Sequence, residues 1–88
     1  MKTVRELYKA CIDKWGHETQ LEILLEECSE LIFTLQKRKR GKRSTLELCE
    51  EIADVEIMIE QARVMFGDST INDLKRKKLA RLEKLLEE

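Results

Sequence analysis

The chain contains no proline and only three glycines in 88 residues. A β-sandwich or barrel needs turn residues at short intervals, so this scarcity argues against either. No glycine-rich loop is present and the chain is short, which argues against a dinucleotide-binding Rossmann domain. There is one tryptophan, one tyrosine and one histidine. Neither sign of charge dominates: 17 basic residues oppose 18 acidic ones, for a net charge of −1. No global field therefore steers the protein to nucleic acid. No run of about 18 apolar residues exists to span a membrane, and the opening MKTVRELYKA lacks the apolar core of a signal peptide. The three cysteines, Cys11, Cys28 and Cys49, fit no zinc or disulfide spacing. They are expected to be reduced, buried thiols of a cytoplasmic protein.

What is abundant is helical. Hydrophobic residues make up 42% of the chain and charged residues 40%, enough for one small core within a single domain spanning 1–88. Gly16, Gly41 and Gly67 punctuate the chain as helix C-terminal residues. Thr19 with Glu22, and Ser44 with Glu47, have capping-box spacing. Asp68, Ser69 and Thr70 offer N-caps to the last segment. These signals predict four helices, near 2–15, 18–40, 45–66 and 70–87.

The helical faces differ in kind. In the second segment Leu21, Leu24, Leu25, Cys28, Leu31, Ile32 and Leu35 form one stripe at 3–4 spacing. The last segment carries a narrower stripe of Ile71, Leu74, Leu79, Leu82, Leu85 and Leu86. The third has one stripe of Leu48, Ile52, Val55, Ile59, Ala62 and Phe66, and a second on the opposite side of Leu46, Ala53, Ile57 and Val64. Met58 and Met65 add a third patch. One short chain can hardly cover both sides of such a helix, so a partner subunit is expected, most simply an identical one.

Most acidic residues read as solvated helix faces, and four are harder to read so, although glutamate is common on any helix and surface charge stays an alternative on spacing alone. Glu27 and Glu30 are spaced i,i+3, as are Glu51 and Asp54, so each pair leaves one side of its helix a turn apart. The first pair borders the leucine stripe and the second lies on the Met58 and Met65 side. Like charges at a core edge repel and desolvate badly. A hard divalent cation with oxygen ligands relieves both problems. Antiparallel packing of the second and third helices would let the pairs face each other across a seam.

The segment EECSE, Glu26 to Glu30, followed by EIAD, Glu51 to Asp54, resembles the EExxE…ExxD signature of the MazG-like all-α nucleoside triphosphate pyrophosphohydrolases. The resemblance extends through WGHETQLEILLEECSELI, the basic KRKRG, EEIADVEIMIEQARVMFG and a final basic helix, from about Trp15 to the C-terminus. It is nearest to the short, stand-alone bacterial and phage type. It implies an all-α, four-helix bundle completed by oligomerisation, as a dimer or a dimer of dimers. It also implies Mg²⁺-dependent hydrolysis of a nucleoside triphosphate to a monophosphate and pyrophosphate, with Mn²⁺ as an alternative ion. By the same resemblance Glu27, Glu30, Glu51 and Asp54 hold the metal, and Glu26 and Glu50 orient ligands or a water. Metal ions neutralise charge on phosphate oxygens and lower the pKa of a bound water, and a free carboxylate nearby can take that water's proton.

A polyphosphate calls for further cations. Family members carry a lysine and an arginine about a turn apart on the last helix. Lys78 with Arg81 fits best, and Lys77 with Arg81 is the i,i+4 alternative. Both readings compete with a solvated face that complements the helix dipole. Trp15 occupies the place of a base-stacking aromatic in some relatives, against the plainer reading of a core-edge tryptophan. His17 and Gln20 are weaker candidates for base or ribose contacts. The basic run from Lys37 to Arg43 has no interleaved aromatics and reads as dipole complementation, not a nucleic-acid surface. Two other functions compete: a helical oligomerisation module with a non-catalytic acidic site, and a structural metal-binding bundle. Phosphoribosyl-ATP pyrophosphohydrolases share the acidic motif, but EIADVEIM departs from their second motif.

Overall fold

The computed structural model describes residues 1–88 as four α-helices and no strand: α1 Val4–Trp15, α2 His17–Lys39, α3 Thr45–Phe66 and α4 Asp68–Glu87. The glycine punctuation holds. A single residue, Gly16, joins α1 to α2, and Gly67 alone joins α3 to α4, each with φ +90°. A side chain strains that conformation, so these one-residue corners require glycine.

Capping follows the sequence at one helix and departs from it at two. Ser44 accepts from the Glu47 N–H at 3.1 Å, while the Glu47 carboxylate accepts from the Ser44 N–H at 3.1 Å. That backbone N–H holds the Glu47 carboxyl below its ordinary range, helped by the Ser44 hydroxyl and Arg43. Thr19 and Glu22 form no such box, because α2 already starts at His17 behind Gly16. Likewise α4 starts at Asp68, and none of Asp68, Ser69 or Thr70 caps it. In both cases the glycine corner brings the next helix in directly. The other capping box closes α1, between Thr3 and Glu6.

The centre of the fold is the long α2–α3 pair, joined by residues 40–44 and packed antiparallel. At 23 and 22 residues the two helices run about 33–35 Å side by side. Helix α1 lies across one end of this pair and supplies Tyr8 and Ile12, which join Val55 and Met58 of α3 in the small apolar core. Helix α4 packs mainly against α3, with no buried residue along its length. Its first residue is held by ions: Asp68 pairs with Arg63 at 2.9 Å and with Arg5 at 3.6 Å, and Arg63 also donates to Asn72.

Much of the expected apolar surface stays open. Leu24 and Leu31 are half-buried, whereas Leu25, Ile32 and Leu35 of the same stripe are exposed. The opposing stripes of α3 behave alike, with Val55 buried and Leu46, Ile57 and Phe66 exposed. The cysteines are not buried: Cys11 and Cys28 are half-buried and Cys49 is exposed. The accessible surface is 7180 Å², against about 5,400 Å² for a compact chain of this mass. The radius of gyration is 16.0 Å, against about 12 Å. No helix is long and apolar enough to cross a membrane.

Candidate functional site

The i,i+3 spacing on two antiparallel helices brings carboxylates together at mid-seam. Glu27 of α2 and Glu51 and Asp54 of α3 each present an oxygen within 4.8 Å of the others. Glu27 and Glu51 are half-buried, and Asp54 is exposed at the mouth of the site. Burial pushes the Glu27 carboxyl above its ordinary value, and the charges of Asp54, Glu51, Glu30 and Glu26, in that order, push it further. Neither the four salt bridges nor any side-chain hydrogen bond involves these three acids. Three carboxylates gathered from two helices, without a cation of their own, form a donor set suited to a hard divalent ion.

Not every predicted ligand joins them. Glu30 is exposed and outside the group of three, although its charge reaches Glu27. The expected four-carboxylate site is thus three carboxylates, with Glu30 outside them and felt by Glu27 through its charge. Glu26 and Glu50 are exposed on the outer flanks of their helices. Lys77, Lys78 and Arg81 are exposed on α4, which approaches α3 but not α2. Trp15 is half-open at 52% exposure, with the Lys14 ammonium 5.5 Å from its ring centre. His17 lines a shallow cleft of about 180 Å³ with Lys9, Ile12, Asp13, Val64 and Met65. A second cleft of about 210 Å³ lies between α1, α3 and the start of α4, beside Arg5, Tyr8, Glu60 and Arg63. The acidic group lines neither cleft and opens to solvent at the seam edge.

Sequence reasoning misplaced one polar neighbour of this group and missed two: Gln20, expected as a weaker base or ribose contact, is buried, and Gln61 and Thr34 were not singled out. Gln20 and Gln61 are buried against each other, the Gln20 Nε2 donating to the Gln61 Oε1 at 2.6 Å. Thr34 is fully buried and accepts from the Arg43 guanidinium at 3.0 Å. Arg43 also reaches Glu47 at 3.8 Å and lies over the Phe33 ring at 5.0 Å. The available signal was spacing: Gln20, Glu27 and Thr34 are seven apart on α2, as are Glu47, Asp54 and Gln61 on α3.

Comparison with protein-family models, with curated proteins and with solved structures gives no match. The chemistry of the seam is thus the guide to function.

Proposed function

We propose that the chain is a Mg²⁺-dependent nucleoside triphosphate pyrophosphohydrolase of the MazG-like kind. The observation that carries this reading is the convergence of Glu27, Glu51 and Asp54 oxygens within 4.8 Å across two antiparallel helices, at the positions the acidic signature marks. These three residues would hold Mg²⁺, or Mn²⁺ in its place. When bound, the ion supplies charge neutralisation on phosphate oxygens and a water of lowered pKa. Glu30, exposed beside the group, would take a proton from the attacking water, and Glu26 would help orient it. In the reaction the water oxygen bonds to the α-phosphorus and the α–β anhydride bond breaks, giving nucleoside monophosphate and pyrophosphate.

Assembly belongs to the same proposal. The surface in excess of a compact chain, about 1,800 Å², is of the size that obligate dimers cover. A second copy would cover the open stripes of α2, α3 and α4. The cations of α4 lie on a helix that does not reach α2 within its own chain, so a dimer or dimer of dimers could set Lys78 and Arg81, or Lys77, beside the acids of another subunit. Trp15, half-open at the end of α1, is the candidate for stacking on the base.

The deciding experiment is a panel of common and modified nucleoside triphosphates with Mg²⁺ or Mn²⁺, reading pyrophosphate against orthophosphate release. The open leucines of α4 also favour a second reading, a helical oligomerisation module whose acids are not catalytic. A purified protein inert toward the whole panel would favour that module.

A further inference from the structure

The α2–α3 seam is polar in three layers at heptad intervals. The central layer is Glu27 with Asp54, flanked by Glu51. Seven residues back on α2 and seven forward on α3 stand Gln20 and Gln61, 3% and 5% exposed and hydrogen-bonded to each other at 2.6 Å. Seven residues the other way stand Thr34 and Glu47, bridged by Arg43 at 3.0 and 3.8 Å. Apolar residues run beside each polar row, Leu24 and Leu31 on α2, Leu48 and Val55 on α3. A seven-residue repeat on two antiparallel helices is the geometry of knobs-into-holes packing, in which a buried polar pair sets register at a cost in stability.

We propose that Gln20 and Gln61 are positioning residues, an amide pair that locks α2 against α3 in the register that brings Glu27 to Glu51 and Asp54. Three like charges cannot fix this register, because they repel one another. The leucine and valine rows cannot fix it alone, because apolar contacts tolerate a slip of one turn. A slip would bury both amides against apolar side chains without a partner, which is strongly disfavoured. The Gln20 Oε1 accepts no hydrogen bond although it is buried. The pair is therefore only partly satisfied, as expected of a device for register and not of one for stability. The arginine bridge at the loop end holds the α2–α3 connection, and the amide pair holds the far end beyond the acidic group. This role rests on the proposed metal-holding function of the acids, but the register itself can be read without any metal.

The test replaces both amides by a side chain of similar length, Gln20→Met with Gln61→Met, and in parallel by Gln20→Leu with Gln61→Leu. Two measurements are made on each full-length variant. Mn²⁺ affinity is read from the resonance of the free ion. Register is read from the distance between spin labels at Glu22 and Glu56, in a background with all three cysteines changed to serine and diluted with unlabelled protein. The expected result is a folded, helical protein with an unchanged or higher Tm. Its label distances broaden or shift by about one helical turn, ~5.4 Å, and its Mn²⁺ affinity falls at least ~10-fold. Native distances in a folded variant overturn the proposal. Native distances with weakened Mn²⁺ binding also overturn it, since the effect would then not pass through register. If the unmodified protein binds no Mn²⁺, the metal reading fails while the label distances still decide the register claim. Failure of both variants to fold overturns it as well, because the amides would then maintain the fold and not choose its register.

Discussion

Glu27 of α2 and Asp54 of α3 meet across the α2–α3 seam with carboxylate oxygens within 4.8 Å, and no cation of the chain pairs with either. Repulsion of this kind makes the folded state sensitive to added metal. Mg²⁺ bound only by the folded state should stabilise it by about 2.7 kcal/mol at a hundredfold excess over Kd. For a chain of this size that is a rise in Tm of at least ~10 °C. Asp54→Asn should raise the Tm of the metal-free protein and abolish the Mg²⁺ response. Scanning calorimetry with and without Mg²⁺ checks both. A Mg²⁺ response that survives the substitution would remove Asp54 from the site.

The Glu27 carboxyl titrates above its ordinary value of 4.5 because of burial and its acidic neighbours. The folded state therefore holds this proton to higher pH than the unfolded state does. That contribution to stability is fully present below the unfolded value and is lost as pH rises through the raised one. The metal-free protein should lose stability as pH climbs from about 4 through that window, and Glu27→Gln should flatten the loss. Urea titrations at stepped pH supply the measurement. An identical pH slope in the variant would show that Glu27 does not carry the effect.

Tyr8 donates its hydroxyl to Glu60 at 2.5 Å, and this bond, with burial and the Glu60 charge, pushes the phenol up to about 12. The sign again follows from a raised folded value: the contribution is intact below the unfolded value of 10.0 and disappears between there and about 12. Tyr8→Phe should cost about 1 kcal/mol at neutral pH by loosening α1 from α3. Phenolate absorbance should titrate near the upper figure in the unmodified protein, and a midpoint near 10 would mean that the bond does not persist in solution.

The sequence foretold the parts of this architecture that depend on near neighbours. Gly16 and Gly67 end helices because their backbone conformation suits little else, and Ser44 with Glu47 closes a box through atoms three residues apart. The convergence of Glu27 with Glu51 and Asp54 was legible because i,i+3 spacing fixes the side of a helix from which a carboxylate leaves. The Thr19–Glu22 box was misread, since a one-residue corner leaves no room for a separate cap. Gln20, Gln61 and Thr34 were illegible by composition, because a polar residue on a helix ordinarily faces water. Only their seven-residue spacing around the acids sets them apart from polar residues that face water. The exclusion of Glu30 from the group of three depends on how far one helix turns past the other, which no local pattern fixes.

The open apolar faces predict an assembly. Leu25, Leu46, Leu79 and Leu82 are each more than half exposed, and the chain is wider than a compact domain of its length. Sedimentation at micromolar concentration should give at least twice the 10.4 kDa of one chain. Leu82→Glu should lower that mass and the Tm together, since monomer stability and association are linked. A stable, fully folded monomer would rule this assembly out.

Catalysis gives the sharpest test of the proposed function. Glu51→Gln keeps the size and hydrogen-bonding capacity of the side chain and removes one charge from a group of three within 4.8 Å. Pyrophosphate release should fall at least ~10²-fold, the scale of a lost metal-dependent electrostatic contribution. Folding stability should hold or rise, because like-charge repulsion is relieved. Lys78→Ala acts at the other end of the proposal, on an exposed α4 cation outside the acidic group. It should raise KM or lower kcat while leaving the Mg²⁺-dependent rise in Tm intact. The two variants therefore separate metal from phosphate: one loses the thermal response and the rate, the other the rate alone. Full activity in Glu51→Gln would remove Glu51 from the metal site while leaving the proposed reaction in place. Loss of the thermal response in Lys78→Ala would mean that the cation supports the fold or the assembly, not the substrate.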